Sequence, residues 1–206
     1  MNFLELRNEF FDRIYFSNSQ IFAVYPDFNK NNLTNWCKKG YLIKLKNGIY
    51  SFPEYKSKLA YAFYIANKLY RPSYISLHSA LAYYELIPEA VVQITSVSSL
   101  KTNNFSNGAG DFSYKSIKPE LMFGYIQKSV DKKVNFALAS PEKAILDLLY
   151  LYNFYNTSSE LEALRIDKDI FDETVNLNLL EEYLRKFNNK SLEARVEILL
   201  DLIRNA

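Results

Sequence analysis

One short segment, residues 29–39, concentrates side chains that suit contact with nucleic acid. Its sequence, NKNNLTNWCKK, predicts a helix that Gly40 ends. Helical spacing separates an apolar face from a polar one. The apolar face consists of Leu33, Trp36 and Cys37, and the polar face of Asn31, Thr34, Asn35 and Lys38. Asn amides can bond adenine in bidentate fashion, and a Lys ammonium can reach guanine or a phosphate, so the polar face is a candidate DNA-reading surface.

A basic hairpin is predicted directly after this helix, over residues 38–53, KKGYLIKLKNGIYSFP. The two-residue Asn47-Gly48 loop favours a type I′ turn. The resulting register pairs Lys46 with Ile49, Leu45 with Tyr50, Lys44 with Ser51, and Ile43 with Phe52. The apolar members of these pairs then share the inward face, and Lys44, Lys46 and Ser51 share the outward face. We expect the two outward lysines to meet phosphates beside the groove that the helix enters.

Two further helices are predicted before this pair of elements. Residues 3–15 show apolar positions at helical spacing, and a second short helix begins at Ser17 or Asn18 and ends at Pro26. Three helices followed by a basic hairpin are the layout of a winged helix-turn-helix, which we assign to residues 1–55. The predicted DNA-binding residues are Lys30, Asn31, Asn32, Thr34, Asn35, Lys38, Lys39, Lys44, Lys46 and Asn47. The simpler alternative is a solvated lysine face on an Asn-rich helix.

The charge of the chain is distributed unevenly. The 206 residues carry a net charge of +2, with 49% hydrophobic content. Residues 26–58 contain seven lysines against two acidic residues, a net charge of +5, whereas residues 142–206 contain eight basic against thirteen acidic residues, a net charge of −5. This asymmetry indicates an anion-binding N-terminal module joined to a part with a different task.

Residues 56–206 are predicted to form an α/β domain with a small mixed sheet and several helices, so the chain as a whole is α+β. Helices are predicted at 54–70, after Ser76, after Ser140-Pro141-Glu142, and in two or three segments over 157–206, with Ser191 capping the last. Strands are predicted at 90–98, 111–118, 122–130 and 133–140, after a short extended piece before Ser76. The Gly/Asn-rich residues 103–111 predict a loop.

Side chains suited to catalysis or metal binding are scarce. His78 is the single histidine, with Ser76 and Ser79 nearby, and Cys37 is the single cysteine. The NGAGD segment at 107–111 lacks the Lys-Ser/Thr of a phosphate-binding loop. Glu142, Lys143 and Asp147 are expected to form a charged helix edge. We therefore predict no catalytic residue, no metal site and no cofactor, and we predict that the chain is not an enzyme.

Aromatic residues exceed what a small core can hold, so some are expected to form a partner surface; the candidates are Tyr83, Tyr84, Tyr150, Tyr152 and Phe154. The lone cysteine fits a reducing compartment, and charged residues interrupt the apolar positions near the N-terminus. The sequence has no run of about 18 apolar residues. We accordingly expect a cytoplasmic protein without a membrane span.

Three segments of the chain together resemble the AbiEi family of antitoxin-like transcriptional regulators, from abortive-infection (type IV) toxin–antitoxin systems. They are KKGYLIKLKNGIYSFP at 38–53, PSYISLHSALAYYELIP at 72–88, and ALASPEKAILDLLYL at 137–151, which is similar to that family's ATPEKALLDLLYL type of segment. The resemblance covers roughly residues 5–155. It implies a winged helix that binds the family's own promoter, at inverted repeats, and a C-terminal domain that counters a nucleotidyltransferase-like toxin.

The sequence and the resemblance together predict a sequence-specific transcriptional autoregulator that is also an antitoxin. One alternative is a solitary winged-helix regulator, and another is a protein-interaction module without antitoxin activity. An enzyme of unrecognised type in the C-terminal domain is a third reading, which the single histidine disfavours. Binding of tRNA in place of DNA is a variant of the favoured reading.

Overall fold

The computed structural model describes residues 1–56, 59–90, 92–129 and 134–205 of the chain. Helices and strands are mixed, with one three-stranded and one six-stranded sheet, so the predicted α+β class is confirmed. The buried apolar residues form two hydrophobic clusters, a smaller one in the N-terminal part and a larger one, and the three-stranded sheet contributes side chains to both. No helix in the described ranges is long and apolar enough to cross a membrane.

The N-terminal part contains three helices and three strands. In chain order they are α1 (Phe3–Phe10), β1 (Tyr15–Ser17), α2 (Asn18–Val24), α3 (Asn31–Lys38), β2 (Ile43–Lys46) and β3 (Ile49–Ser51). The strands form an antiparallel sheet in the order β1-β3-β2. Its core is rich in aromatic residues and includes Phe10, Phe16 and Phe52, all fully buried, together with Leu33 and Trp36 from α3.

The first helix is shorter than the sequence indicated. A capping box between Asn2 and Glu5 starts α1, but the helix ends at Phe10, and a 3-10 turn follows over Phe11–Arg13. Ile14 then takes a positive φ of 67°, and its carbonyl oxygen accepts a hydrogen bond from the Ser51 hydroxyl. The predicted extension to residue 15 is therefore wrong, because the chain turns to place β1 beside β3. The start of α2 is confirmed, with a Ser17 side-chain cap.

The β2–β3 hairpin differs from its predicted register. Lys46 pairs with Ile49 as expected, but a bulge at Leu45 shifts the remaining pairs, so that Lys44 lies opposite Tyr50 and Ile43 opposite Ser51. At the Asn47-Gly48 turn only Gly48 has a positive φ, whereas a type I′ turn needs one at Asn47 as well. The predicted turn type and the three other pairs are wrong. The bulge keeps Leu45 buried while it separates Lys44 from Lys46.

The larger part begins with α4 (Leu59–Leu69), later than predicted; residues 57–58 lie outside the described ranges, and a 3-10 turn covers Pro53–Tyr55. Its sheet contains β4 (Ser73–Ile75), β5 (Gln93–Ser98), β6 (Asn103–Asn107), β7 (Gly110–Ser116), β8 (Tyr125–Ser129) and β9 (Asn135–Ala139). The strand order is β6-β7-β5-β4-β9-β8. The pairs β5/β7 and β4/β9 are parallel and the others antiparallel, so the predicted mixed sheet is confirmed.

One predicted loop, residues 103–111, is wrong. Residues 103–107 form β6, which pairs antiparallel with β7, and Gly110 takes a φ of 142° where the chain returns. Along β6 half-buried and exposed positions alternate, and Phe105 packs edge-to-face on Tyr114 at 5.7 Å between ring centroids. The Asn and Gly content suggested a loop, but the period-two burial of a strand determines the structure here.

Helices cover the larger sheet. They are α5 (Leu77–Tyr83), α6 (Pro141–Leu151), α7 (Ser158–Glu162), α8 (Lys168–Thr174), α9 (Leu177–Phe187) and α10 (Lys190–Asn205). The Ser140 side chain caps α6 and Pro141 is its first residue, as predicted. Four helices, rather than two or three, follow residue 157. Ser191 lies inside α10, and the Asn189 side chain caps that helix instead, by accepting a hydrogen bond from the Leu192 amide at 3.0 Å.

The two parts of the chain contact each other through the hairpin. The Lys46 ammonium donates to the Leu69 carbonyl oxygen at 2.8 Å, and the Asn107 side-chain amide donates to the Leu45 carbonyl oxygen at 2.9 Å. Ile14 and Leu45 are buried in the larger core rather than in the N-terminal one. The domain boundary between residues 55 and 56 stays a prediction, with these contacts across it.

Candidate nucleic-acid interface

The structure defines both ends of α3. The Asn29 side chain accepts a hydrogen bond from the Asn31 amide at 2.9 Å, and no acidic residue lies in the first turn. At the other end Gly40 takes a left-handed φ of 73°, and the Lys39 amide donates to the Asn35 carbonyl oxygen. The carbonyl oxygens of Asn35, Trp36 and Cys37 thus all accept backbone hydrogen bonds where the helix ends, beside the start of the hairpin.

The two predicted faces of α3 are confirmed as a buried face and an exposed one. Leu33 and Trp36 are buried and Cys37 is half-buried. The Trp36 ring packs edge-to-face on Phe3 at 5.5 Å between centroids. The exposed face presents Asn31, Thr34, Asn35 and Lys38, with Lys30 and Lys39 exposed at the two ends, while Asn32 is half-buried. We refer to Asn31, Thr34, Asn35, Lys38, Lys39 and Lys44 as the α3 surface.

Lys44 lies close to α3. Burial raises the pKa of the Cys37 thiol, and the positive charge of Lys44 opposes that shift, which places this lysine near the helix. Lys44 is exposed, as is Asn47 at the hairpin turn. In the described part of the chain, no ion pair involves Lys38, Lys39 or Lys44. Their charges are therefore available to an anionic partner. Lys30 instead lies over the Phe22 ring, at 5.1 Å from its centroid.

Lys46 does not share the outward face with Lys44, so that expectation is wrong. Its side chain is half-buried, and its ammonium is bonded to the Leu69 carbonyl at the end of α4. Ser51, also expected outward, is 1% exposed and donates to the Ile14 carbonyl. The cause is the bulge at Leu45, which places two successive side chains differently from a regular ladder. Sequence spacing alone could not show this.

The residues considered for catalysis do not converge. His78 is half-buried, its Nε2 lies 3.3 Å from the Tyr155 hydroxyl, and burial lowers its pKa. The Ser79 hydroxyl accepts from the Thr95 amide at 2.8 Å, and the Ser76 hydroxyl donates to Asp147 at 2.8 Å. Ser76 was expected to cap α5, but its side chain makes no cap hydrogen bond. Among the described residues, no cluster of three His, Cys, Asp or Glu could hold a metal.

Sequence reasoning missed a buried polar network in the larger core. Lys143 and Asp147 form an ion pair on α6 with both side chains fully buried, and the Tyr74 and Ser76 hydroxyls each donate to the same Asp147 oxygen at 2.8 Å. Burial raises the pKa of the Asp147 carboxyl, and the charge of Lys143 and the two hydroxyl donors partly oppose this increase. Burial lowers the pKa of Lys143, against the attraction of Asp147. The charged helix edge expected from the sequence is therefore buried in the core.

Glu142, the third member of that expected edge, is also buried, and it accepts a hydrogen bond from the Asn176 amide at 2.8 Å.

The aromatic residues considered as a partner surface divide into two groups. Tyr83 and Phe154 are exposed, at 38% and 57%, whereas Tyr84, Tyr150 and Tyr152 are half-buried. Tyr84 donates to the Ala139 carbonyl oxygen at 2.9 Å, so it holds helix α5 against the sheet rather than a partner.

Comparison with protein-family models and with curated proteins gives no match to this chain.

Proposed function

We propose that residues 1–55 form a winged helix-turn-helix that binds double-stranded DNA. The chain order of helix, strand, helix, helix and hairpin, with β1 completing a small sheet, supports this assignment. In such an arrangement α3 is the recognition helix and lies in the major groove, while Lys44 at the hairpin contacts a phosphate. The α3 surface would supply amides for base edges and ammonium groups for the backbone.

The observation that carries this proposal is the exposed, unpaired polar face of α3 beside Lys44. The helix has no acidic residue, and its Lys38, like Lys39 and Lys44, has no ion-pair partner in the described ranges. Acidic side chains three or four positions away would pair with these lysines and stabilise a merely solvated helix, and α3 contains none. A face of amides, a hydroxyl and ammonium groups instead matches the donors and acceptors of DNA.

We further propose that the protein regulates its own promoter, at inverted repeats, and acts as an antitoxin against a nucleotidyltransferase-like toxin. The resemblance to the AbiEi family supports this part. Two of the three resembling segments, 72–88 and 137–151, meet in the core, where Tyr74 and Ser76 of one bind Asp147 of the other. Their joint presence in the sequence thus has a physical reason, since each satisfies polar groups of the other.

Binding to the protein's own promoter tests the first part. Fluorescence anisotropy with a labelled promoter duplex, over a range of salt concentrations, should show tight binding that weakens with salt, with unrelated duplex binding more weakly. Lys38→Ala should weaken both, whereas the control Lys118→Ala, an exposed lysine in the larger part, should change neither. Weak or salt-insensitive association would favour a protein-interaction module, and equal affinity for promoter and unrelated DNA would contradict sequence-specific regulation.

A further inference from the structure

A second binding site is indicated in the larger part of the chain, away from the α3 surface. A cleft of about 440 Å³ lies between the C-terminal end of α4, the segment leading into β4, and strands β8 and β9. Its size is sufficient for a small organic ligand. The residues that carry the argument are Asn67, Lys68, Arg71, Tyr125, Gln127 and Asn135.

Asn67 forms part of the buried wall of this cleft. The residue is only 8% exposed, and its Oδ1 accepts from the Ala137 amide. Its Nδ2 is also buried and has no hydrogen-bond partner in the described part of the chain. A buried amide group without an acceptor is destabilising, and such groups are rare in proteins. Because this Nδ2 has almost no exposed surface, a ligand in the cleft cannot bond it, and Asn67 contributes to the site as part of the wall that its bond to Ala137 holds in place.

Two cations lie beside Asn67. Lys68 and Arg71 both line the cleft, and no acidic residue is among its described lining residues. The Arg71 Nε donates to the Asn67 carbonyl oxygen at 3.3 Å, which fixes the guanidinium near the cleft. Burial lowers the pKa of the Lys68 ammonium, and the nearby positive charge of Arg71 lowers it further. Like charges held together without an acid favour a bound anion, and a phosphate group suits both side chains.

Tyr125 offers an open aromatic face in the same cleft. One face of its ring stacks on the fully buried Tyr74, with 4.7 Å between centroids and 14° between planes. Tyr125 is nevertheless 39% exposed, so the exposed part belongs to the opposite face and the ring edge. A flat ring can stack there, and the exposed amides of Gln127 and Asn135 can bond the edge of such a ring.

We infer that this cleft binds a nucleoside phosphate, with the phosphate on Lys68 and Arg71 and the base against Tyr125. No covalent step is involved. The site does not depend on DNA binding by α3, because none of its residues belongs to the N-terminal part, and its test needs no DNA.

Isothermal titration of the full chain with AMP, adenosine and inorganic phosphate tests the inference. AMP should bind with a dissociation constant below about 1 mM. Adenosine lacks the phosphate and inorganic phosphate lacks the nucleoside, so each should bind at least about tenfold more weakly than AMP. Lys68→Gln and Tyr125→Leu should each weaken AMP binding about tenfold. Circular dichroism checks that each variant is folded.

Lys128→Gln is the matched control, because Lys128 lies on β8 next to Gln127 but on the opposite face of the strand. It should bind AMP as the wild type does. Three results would each overturn the inference. They are failure of the wild type to bind AMP in this range, binding of inorganic phosphate as tight as that of AMP, and unchanged AMP binding by folded Lys68→Gln and Tyr125→Leu variants.

Discussion

The Lys46 ammonium donates a hydrogen bond to the Leu69 carbonyl oxygen, over 2.8 Å. This bond joins the end of β2 to the end of α4, and the Asn107 amide makes a parallel bond to Leu45 of the same strand. The hairpin that would flank bound DNA is therefore attached to the larger part of the chain. One of its two lysines has a structural partner, and the other, Lys44, is exposed.

The two hairpin lysines should behave differently in DNA binding. Lys44→Ala should reduce the slope of log K against log salt by about one unit, since each phosphate contact contributes roughly 0.9. Lys46→Ala should change the slope less and instead lower the free energy of unfolding by about 1 kcal/mol, because the Leu69 carbonyl loses its donor. Anisotropy titrations and urea denaturation separate the two effects. Equal slopes for Lys44→Ala and the wild type would remove Lys44 from the interface.

Asn35 should read sequence rather than charge. It is exposed on α3 one turn after Asn31, where a bidentate bond to a base edge is possible. Asn35→Ala should relax the preference at one base pair by roughly 1–3 kcal/mol, with a smaller effect on binding to unrelated duplex. Binding-site selection with wild type and variant measures this. Recovery of the same motif by both proteins would show that Asn35 makes no base contact.

The buried Lys143–Asp147 pair should stabilise the fold only as a pair. Lys143→Met leaves the carboxylate buried without its cation and should lower the free energy of unfolding by roughly 3–5 kcal/mol. The double variant Lys143→Met/Asp147→Leu should lose much less than the sum of the single losses.

Urea denaturation of the single and double variants measures the coupling. The exposed pair of Arg185 with Glu181, also one helical turn apart, provides the control, and Arg185→Met should change stability by less than about 0.5 kcal/mol. Additive losses at Lys143 and Asp147 would mean that the two side chains contribute independently.

His78 should make the fold sensitive to mild acid. Burial lowers its pKa below the usual 6.5, so the folded state binds fewer protons than the unfolded state in the window just below that value. The contribution of neutral His78 to the free energy of unfolding is then fully present above pH 6.5. It is lost as the pH falls through the folded pKa. His78→Gln should flatten this dependence, measured as the free energy of unfolding between pH 5.5 and pH 7.5. A variant with the same pH profile as the wild type would assign the effect to other groups.

Local patterns predicted α3 well, because an amphipathic helix with Leu33 and Trp36 inside and Asn31 and Asn35 outside is fixed by neighbours three or four residues away. The Ser140 cap and the Pro141 start of α6 were also predictable, because they depend only on neighbouring residues. The bulge at Leu45 was not predictable, since it depends on the packing of that side chain in the larger core. Asp147 and its hydroxyl donors lie more than 70 positions apart in the chain, and sequence spacing carries no information on such contacts.

DNA binding and antitoxin activity, both proposed here, should be separable by substitution. The triple variant Asn31→Ala/Asn35→Ala/Lys44→Ala removes only exposed side chains, so it should fold as the wild type does. It should lose preferential promoter binding but still restore growth to cells that express the proposed nucleotidyltransferase-like toxin. Full-length protein is needed, because fragments cut near residue 55 would lose the Lys46–Leu69 and Asn107–Leu45 bonds.

Growth with the co-expressed toxin, repression of a promoter reporter and the midpoint of thermal unfolding would be measured on the same variant, with Lys118→Ala as the surface control. Loss of repression with retained growth is the expected result, because the α3 surface lies outside both hydrophobic cores. Growth arrest with a folded triple variant, while wild type and control rescue, would mean that antitoxicity acts through the DNA-binding surface. Growth arrest with the wild type as well would leave a regulator without antitoxin activity.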